Sequence, residues 1–310
     1  MLALQRQLAE AQWTLGHWKL AAEQMELVWA RADGARSGAA DVFDGVENRL
    51  ALLWLQLGEY PRAEALLRGR LREARQSGLP TLHVAALQTT LASLLTELEQ
   101  FLEAEALLSS SLEALRDWVA DDSSFMVQSV LVHQAWLRLK QGRTSEAVNL
   151  FRGVLEVLNS EPLLARSAVA GDIRSRLALA YFATGERAAA ERALRHALDI
   201  QVESMGEKSP QAQISRCWLV DFLLEQGMTA EAETTLSRVD RRSLAAIGPD
   251  HPYSAELARV TARLRAAQGQ REDAARWMRE AIRIYALRYD NDHSALRNAH
   301  ATLQAYGDGG

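Results

Sequence analysis

The chain has 310 residues and a formal net charge of −5 at pH 7; 48% of its residues are hydrophobic and 24% are charged. This composition excludes a disordered chain and argues against a general nucleic-acid binder. No apolar run is long enough to span a membrane, and the first residues, Leu2 to Leu8, lack the features of a signal peptide. Cys217 is the single cysteine, so an internal disulfide is excluded. We therefore expect a cytoplasmic protein that binds neither nucleic acid nor membrane.

A short signature recurs along the chain every 41 to 43 residues. It consists of a turn residue followed five positions later by an alanine. The turn residues are Gly16, Gly58, Glu99, Gly142, Gly185, Gly227 and Gly269. The alanines are Ala21, Ala63, Ala104, Ala147, Ala190, Ala232 and Ala274. A period of this length is typical of stacked repeats, in which neighbouring units complete one another's cores.

Each repeat is predicted to contain two helices that meet at the turn. Seven residues before the turn stand small residues: Ala9, Ala51, Ala92, Ala135, Ala178, Val220 and Ala262. Nine residues after it stand larger ones: Met25, Leu67, Leu108, Phe151, Leu194, Leu236 and Met278. A small residue on the first helix lets the second approach closely, and the larger residue fills the remaining gap. Glu99 replaces the usual glycine and should make a less favourable turn.

The pattern resembles the tetratricopeptide repeat, which has a small residue in its first helix, a glycine turn, then an aromatic residue and an alanine. Trp18, Tyr60 and Phe101 fill the aromatic position in the first three repeats, and the later repeats diverge there. The long period and connectors such as residues 248–252 are similar to repeats of the kinesin light chain type, which also occur in bacterial proteins. Only three of the 35 cationic residues are lysine, which also favours a bacterial origin.

The resemblance implies an all-α fold: a right-handed α-solenoid of seven helix-turn-helix repeats plus a C-terminal capping helix. We expect one superhelical domain over residues 1–306 and a flexible tail over 307–310. The end helix is predicted over 293–306. The repeats are predicted over residues 2–33, 42–77, 81–119, 123–160, 163–205, 210–247 and 252–289.

Sequence motifs of enzymes are absent, so we expect neither catalysis nor a bound cofactor or metal. The chain lacks the phosphate-binding Gly-x-x-x-x-Gly-Lys-Ser/Thr loop, the Gly-x-Gly-x-x-Gly motif and the His-Glu-x-x-His zinc motif. Residues 290–292 imitate the start of a calcium loop, but Ala295 and Ala301 stand where that loop needs glycine and glutamate. Cys217 has no histidine nearby in sequence, and we expect it to be a half-buried helix residue.

The resemblance also implies a groove, because the first helices of tetratricopeptide proteins line a concave face. Residues three, six, ten and thirteen before each turn face into it. The candidate groove residues are Trp13, Asn48, Trp136, Phe182, Asp221, Arg259 and Arg263. Large aromatic residues can anchor a peptide, and arginine favours an acidic ligand. The alternative is that Trp136 or Phe182 only packs against the adjacent repeat.

We therefore expect a non-catalytic protein-protein interaction scaffold that binds a peptide or protein segment in its groove. Two alternatives stay open. In the first alternative, the chain is a regulatory or sensory module of a larger bacterial signalling protein. In the second, it is a receptor for a signalling peptide or small molecule. The sequence leaves the identity of the partner and the oligomeric state open.

Overall fold

The computed structural model describes residues 2–34, 45–77, 81–119 and 122–307. All regular secondary structure in these ranges is helical. The chain divides into two compact units, Met1–Ala165 and Arg166–Gly310, which are described separately below. The start predicted for the second repeat, at residue 42, and the tail residues 308–310 lie outside the described residues.

The first unit contains helix pairs joined by the predicted turns. In the described part of this unit the pairs are α1 (Leu2–Thr14) with α2 (Trp18–Gly34), α3 (Val46–Gln56) with α4 (Tyr60–Ser77), α5 (Thr81–Glu97) with α6 (Phe101–Arg116), and α7 (Phe125–Lys140) with α8 (Thr144–Asn159), followed by the short α9 (Pro162–Ala165). The two helices of each pair pack together, and each second helix also packs against the first helix of the next pair. This is the packing of an α-solenoid.

The second unit continues the pattern with α10 (Ala168–Thr184), α11 (Arg187–Met205), α12 (Pro210–Glu225), α13 (Thr229–Ser237), α14 (Arg241–Ile247), α15 (Pro252–Ala267), α16 (Arg271–Ala286) and α17 (Ser294–Gly307). The last helix packs on α16 and buries Leu296 and Ala299. The predicted helix pairs and end helix are thus present, and the fold class is all-α. The single continuous domain and its right-handed superhelix stay predictions.

All seven predicted turn residues have a positive φ, between 59° and 84°. Glu99, at φ 59°, is the one residue other than glycine with this conformation among the described residues. The left-handed region brings the Cβ atom of an L residue too close to its carbonyl oxygen, at a cost of roughly 1–2 kcal/mol. The strain expected at Glu99 therefore has a structural basis.

The small and large residues around the turns form the core. The small residues seven positions before each turn, the alanines five positions after it and the larger residues nine positions after it are all buried. Burying a side chain such as Leu67 or Phe151 contributes about 1.5–3 kcal/mol. The repeated pattern in the sequence is therefore the pattern of the core.

The structure departs from the predicted repeats in two places. The second helix of the sixth repeat is broken into α13 and α14, because the carboxylate of Asp240 caps a new helix by accepting the N–H of Arg242 at 2.9 Å. The N–H of Asp240 itself donates to Gln213 Oε1 at 2.8 Å. In the fifth repeat, α9 occupies part of the sequence assigned to the first helix, and α10 begins only at Ala168, where Ser167 Oγ accepts the N–H of Ala170 at 3.2 Å.

A buried carboxylate joins three helices of the first unit. Glu47 on α3 accepts hydrogen bonds from Arg70 on α4 at 2.9 Å and pairs with Nε2 of His83 on α5 at 2.9 Å. Burial alone would raise the pKa of Glu47, but the hydrogen bond from His83 and the charge of Arg70 outweigh burial and lower it. An ionised side chain inside the stack thus links the second and third repeats.

Candidate binding surface on the first helices

In the first unit, the structure fixes Trp136 between two neighbouring first helices. Its indole Nε1 donates to Glu97 Oε1 at 2.6 Å, across from α7 to α5. Lys140 lies with Nζ 5.0 Å from the centroid of the Trp136 ring and 3.6 Å from Glu97 Oε2. The ring is half-buried, and its edge is held in place by this hydrogen bond.

Trp13 and Asn48 lie on α1 and α3, and both are half-buried. Oδ1 of Asn48 is buried and lacks a hydrogen-bond partner among the described residues. Glu10 on α1 links the same two helices, because it accepts hydrogen bonds from Arg6 at 3.1 Å and from Arg49 on α3 at 2.6 Å. Polar groups therefore cross from one first helix to the next in this part of the unit as well.

In the second unit, the structure brings three predicted residues into one ion-pair network. Arg259 Nη2 on α15 donates to Asp221 Oδ2 on α12 at 2.7 Å, and Arg263 Nη1 donates to the other oxygen of the same carboxylate. Arg263 also pairs with Glu225, one turn beyond Asp221. Arg259 Nε donates to Glu256 Oε2 at 2.9 Å. We call these five residues the α12–α15 network.

The electrostatics of the α12–α15 network are those of a partly desolvated cluster. Burial alone would lower the pKa of Arg259, but attraction to Glu256 and Asp221 outweighs burial and raises it well above its usual range. The hydroxyl of Tyr285 on α16 donates to Glu256 Oε2 at 3.1 Å, and burial together with this carboxylate raises the pKa of Tyr285. The tyrosine therefore stays protonated and holds Glu256 in place.

Phe182, on α10, makes an edge contact with Phe222 on α12, with ring centroids 5.6 Å apart. Phe222 is buried, whereas Phe182 is half-buried. Phe182 thus packs against the adjacent repeat, as the alternative interpretation stated, and still keeps part of its ring accessible.

Comparison with family models identifies the repeats. Models of the tetratricopeptide repeat match residues 49–68, 171–211 and 210–286. These parts of the chain contain tetratricopeptide repeats. No curated protein sequence matches it significantly.

Solved structures of several proteins share the fold. A Rap protein in complex with competence and sporulation factor has a TM-score of 0.60 at 10% identity, covering 99% of this chain and 98% of that one. A STAND signal-transduction ATPase of Pyrococcus horikoshii, with a tetratricopeptide repeat sensor, has a TM-score of 0.58 at 16% identity, covering 99% of this chain but 44% of that one. A structure of kinesin light chain repeats of Podosopora anserina has a TM-score of 0.50 at 23% identity, covering 64% of this chain and 93% of that one. At these identities the likeness shows the fold alone.

The tetratricopeptide register predicted Asp221, Arg259 and Arg263 on one face, and the structure joins them. It also adds Glu256, which stands thirteen residues before Gly269 and so within the register but was not among the candidates. Three more residues lie two positions before their turns and outside the register: Glu97, Lys140 and Glu225. Spacing along the helices gave a signal for several of them, because Glu256 lies three residues before Arg259 and Lys140 lies four residues after Trp136. That all seven candidates bind one ligand stays a prediction.

The sequence also raised a calcium site and a reactive cysteine. Across the described ranges, His, Cys, Asp and Glu side chains form no group of three or more that is suited to a metal ion. Cys217 is fully buried rather than half-buried, and burial raises the pKa of its thiol. Each described helix is also too short or too polar to cross a bilayer.

Proposed function

We propose that the chain is a non-catalytic protein-interaction scaffold that binds an extended peptide or protein segment along its first helices. One observation carries the proposal: aromatic and charged side chains on these helices are fixed by contacts between neighbouring repeats and yet stay partly accessible. Trp136 and the α12–α15 network both have this property. Groups that are already ordered lose little conformational entropy when a ligand binds.

The charges of the α12–α15 network favour a basic or uncharged ligand in the second unit. Asp221, Glu225 and Glu256 supply three carboxylates, whereas Arg259 and Arg263 supply two guanidinium groups. Both arginines already have carboxylate partners, so an acidic ligand would have to displace these carboxylates. This proposal differs from the acidic ligand that the two arginines alone would favour.

A second candidate function is a receptor for a signalling peptide, or a sensory module. It is supported by the Rap protein, whose complex with competence and sporulation factor matches nearly the whole chain in fold. The tetratricopeptide repeat sensor of the STAND ATPase supports the same class. A receptor of this kind would respond to a short free peptide, whereas a scaffold would bind a segment of a larger protein.

The test begins with selection from a phage-displayed library of random peptides on the full chain. Affinity for the selected peptides is then measured by fluorescence anisotropy for Trp136→Ala and Asp221→Ala. Trp118→Ala and Asp273→Ala are the matched controls, because Trp118 is exposed beyond α6 and Asp273 lies on the second helix α16. Circular dichroism verifies that each variant keeps its helix content.

We expect either groove substitution to weaken binding at least about tenfold, which corresponds to 1.4 kcal/mol, and the controls to bind as the unmodified chain does. We also expect the selected peptides to be rich in basic or uncharged residues. Loss of binding in the two controls, with the groove variants unaffected, would show that ligands use the outer surface instead. A change in hydrodynamic radius on binding a short peptide would favour the receptor over the scaffold.

A further inference from the structure

The second helix of the seventh repeat lines a groove on the second unit. Five residues of α16 enclose a volume of about 450 Å³: Arg276, Trp277, Arg279, Glu280 and Arg283. The four charged residues follow the spacing i, i+3, i+4 and i+7, which places them on one face of the helix. The volume lies within the range of about 300–1,000 Å³ that is typical of ligand pockets. We call this surface the α16 groove.

Trp277 is the aromatic side chain of the α16 groove. It stands eight residues after its turn, where the other repeats have Gln24, Leu66, Leu107, Leu150, Ala193 and Thr235. Its ring is partly buried against the core that α15, α16 and α17 form. Cζ of Arg241 on α14 lies 5.1 Å from the centroid of the ring. An arginine of another helix therefore lies beside the groove.

Arg241 follows the break in the second helix of the sixth repeat. Helix α13 has nine residues, whereas the other second helices in the described ranges have 16 to 19. Three pairs of neighbouring second helices are joined by an ion pair between the residue ten after one turn and the residue four after the next: Glu26–Arg62, Arg68–Glu103 and Arg195–Glu231. The equivalent residues of α13 and α16 are Ser237 and Asp273, and serine has no charge for such a pair.

Guanidinium groups around the α16 groove outnumber the carboxylates that balance them. Arg283 engages two carboxylates, because its Nη2 donates to Glu280 Oε1 at 2.8 Å and to Asp250 Oδ1 at 2.6 Å. Asp273 pairs with Arg276 at 3.0 Å, but these side chains are 46% and 70% exposed, and exposed pairs contribute little to stability. In the part of the chain that the structure describes, three exposed arginines lack a carboxylate partner: Arg241, Arg242 and Arg279.

These charges favour a ligand that carries separate carboxylates over a uniform polyanion. A carboxylate can accept two parallel hydrogen bonds from one guanidinium group. Arg241 and Arg279 are suited to this geometry because they have no carboxylate of their own. Glu280 and Asp250, in contrast, lie beside Arg283 and would repel a continuous row of phosphates. The net charge of −5 also disfavours nucleic acid.

We propose that the α16 groove binds an acidic segment of a partner protein. Carboxylates of the segment pair with Arg241 and Arg279, and an apolar residue between them contacts Trp277. The site lies on the second helices, so it is separate from the candidate residues of the first helices and does not depend on the ligand proposed for them. Because the arginines are exposed, salt screens the interaction, and a short segment binds strongly only at low ionic strength. In a whole partner the contact adds to binding elsewhere on the chain.

The test measures fluorescence anisotropy of the labelled peptide Glu-Asp-Leu-Glu-Asp with the full chain at low ionic strength. The comparison peptide is Gln-Asn-Leu-Gln-Asn with the same label. The groove variant is Arg241→Glu/Arg279→Glu, and its matched control is Arg187→Glu/Arg192→Glu on α11, which changes the net charge equally. Both control arginines are exposed and lack a carboxylate partner among the described residues.

We expect the acidic peptide to bind and the uncharged peptide to bind at least about tenfold more weakly. The groove variant should weaken binding of the acidic peptide to the same extent, whereas the control should bind as the unmodified chain does. Trp277→Leu should weaken binding less than the loss of both arginines, because leucine keeps an apolar contact. Circular dichroism verifies that each variant keeps its helix content.

Four results would overturn the proposal. The first is that the acidic peptide does not bind at low ionic strength, and the second is that the uncharged peptide binds equally well. The third is equal weakening by the α11 control, which would show that only the overall charge matters. The fourth is tighter binding of labelled oligodeoxythymidylate that the groove variant abolishes, which would assign the groove to nucleic acid. Trp136→Ala should leave the affinity for the acidic peptide unchanged, so this test is independent of the first helices.

Discussion

The close packing between the helices of the fifth repeat can be tested at Gly171. This glycine lies on α10, where a Cβ atom would be 3.0 Å from Cγ of Gln201 and 3.2 Å from Cγ2 of Ile200 on α11. Both distances are shorter than ordinary van der Waals contacts between carbon atoms. Gln201 cannot move freely, because it is buried and its Nε2 donates to Ser175 Oγ at 3.1 Å.

We expect Gly171→Ala to destabilise the protein, although alanine is the better helix former. The gain in helix propensity is about 0.5–1 kcal/mol. Overpacking of a close contact costs about 1–3 kcal/mol. The matched control is Gly153→Ala on α8, where a Cβ atom would meet nothing within 4 Å. The control should therefore be more stable than the unmodified chain, and the two variants should differ by about 1–3 kcal/mol because the helix gain is common to both.

The assay combines urea unfolding with hydrogen exchange of peptides from residues 168–205 and 144–159. Exchange is needed because repeat arrays open locally and a single unfolding free energy can hide where stability changes. The cost of Gly171→Ala should also be smaller in a Gln201→Ala background, as a double-mutant cycle would measure. If Gly171→Ala matches the control in both experiments, the two helices do not approach as closely as the structure shows.

Three further predictions concern the carboxylate, the thiol and the end helix. The pKa of Glu47 is lowered in the folded state, so its contribution to stability is full above its ordinary value of 4.5 and is lost as the pH falls through the folded value. Glu47→Gln should flatten the acid limb of stability measured by denaturant titration between pH 3 and 7, and an unchanged limb would contradict this. Cys217 should react with a thiol reagent only after unfolding, because its thiol is buried with a raised pKa; rapid labelling of the native protein would show that α12 opens. Truncation after His293 should expose the apolar residues that α17 covers and lower solubility while most helical signal remains, and a truncated chain that stays as soluble would show that α17 is no cap.

Much of the fold could be predicted from the sequence because the residues that recur in every repeat are the buried residues of the core. A glycine that needs a positive φ and an alanine that allows close packing are local requirements, and the same residues supply them in nearly every repeat. The break at Asp240 could not be predicted in this way. It depends on a side-chain cap and on a hydrogen bond that the N–H of Asp240 donates to Gln213, which lies 27 residues away in sequence.

The candidate site could be predicted in position but not in chemistry. The register placed Asp221 and Arg263 on equivalent faces of successive first helices. It gave no information that these residues, 42 positions apart, bond to each other. Whether an arginine is free for a ligand depends on the distance between neighbouring helices, which a single sequence does not contain. The same reason explains why Glu97, the partner of Trp136, was missed.

The packing of each helix with its immediate neighbours has a consequence for how the chain folds. In each unit the contacts join helices that lie within about one repeat of each other in sequence. The loop that must close before a contact forms is therefore short, and its entropic cost is small. A low contact order of this kind favours rapid folding that can start at any adjacent pair of helices. Under a pulling force, helix pairs would detach one after another from an end, each releasing a similar length of chain.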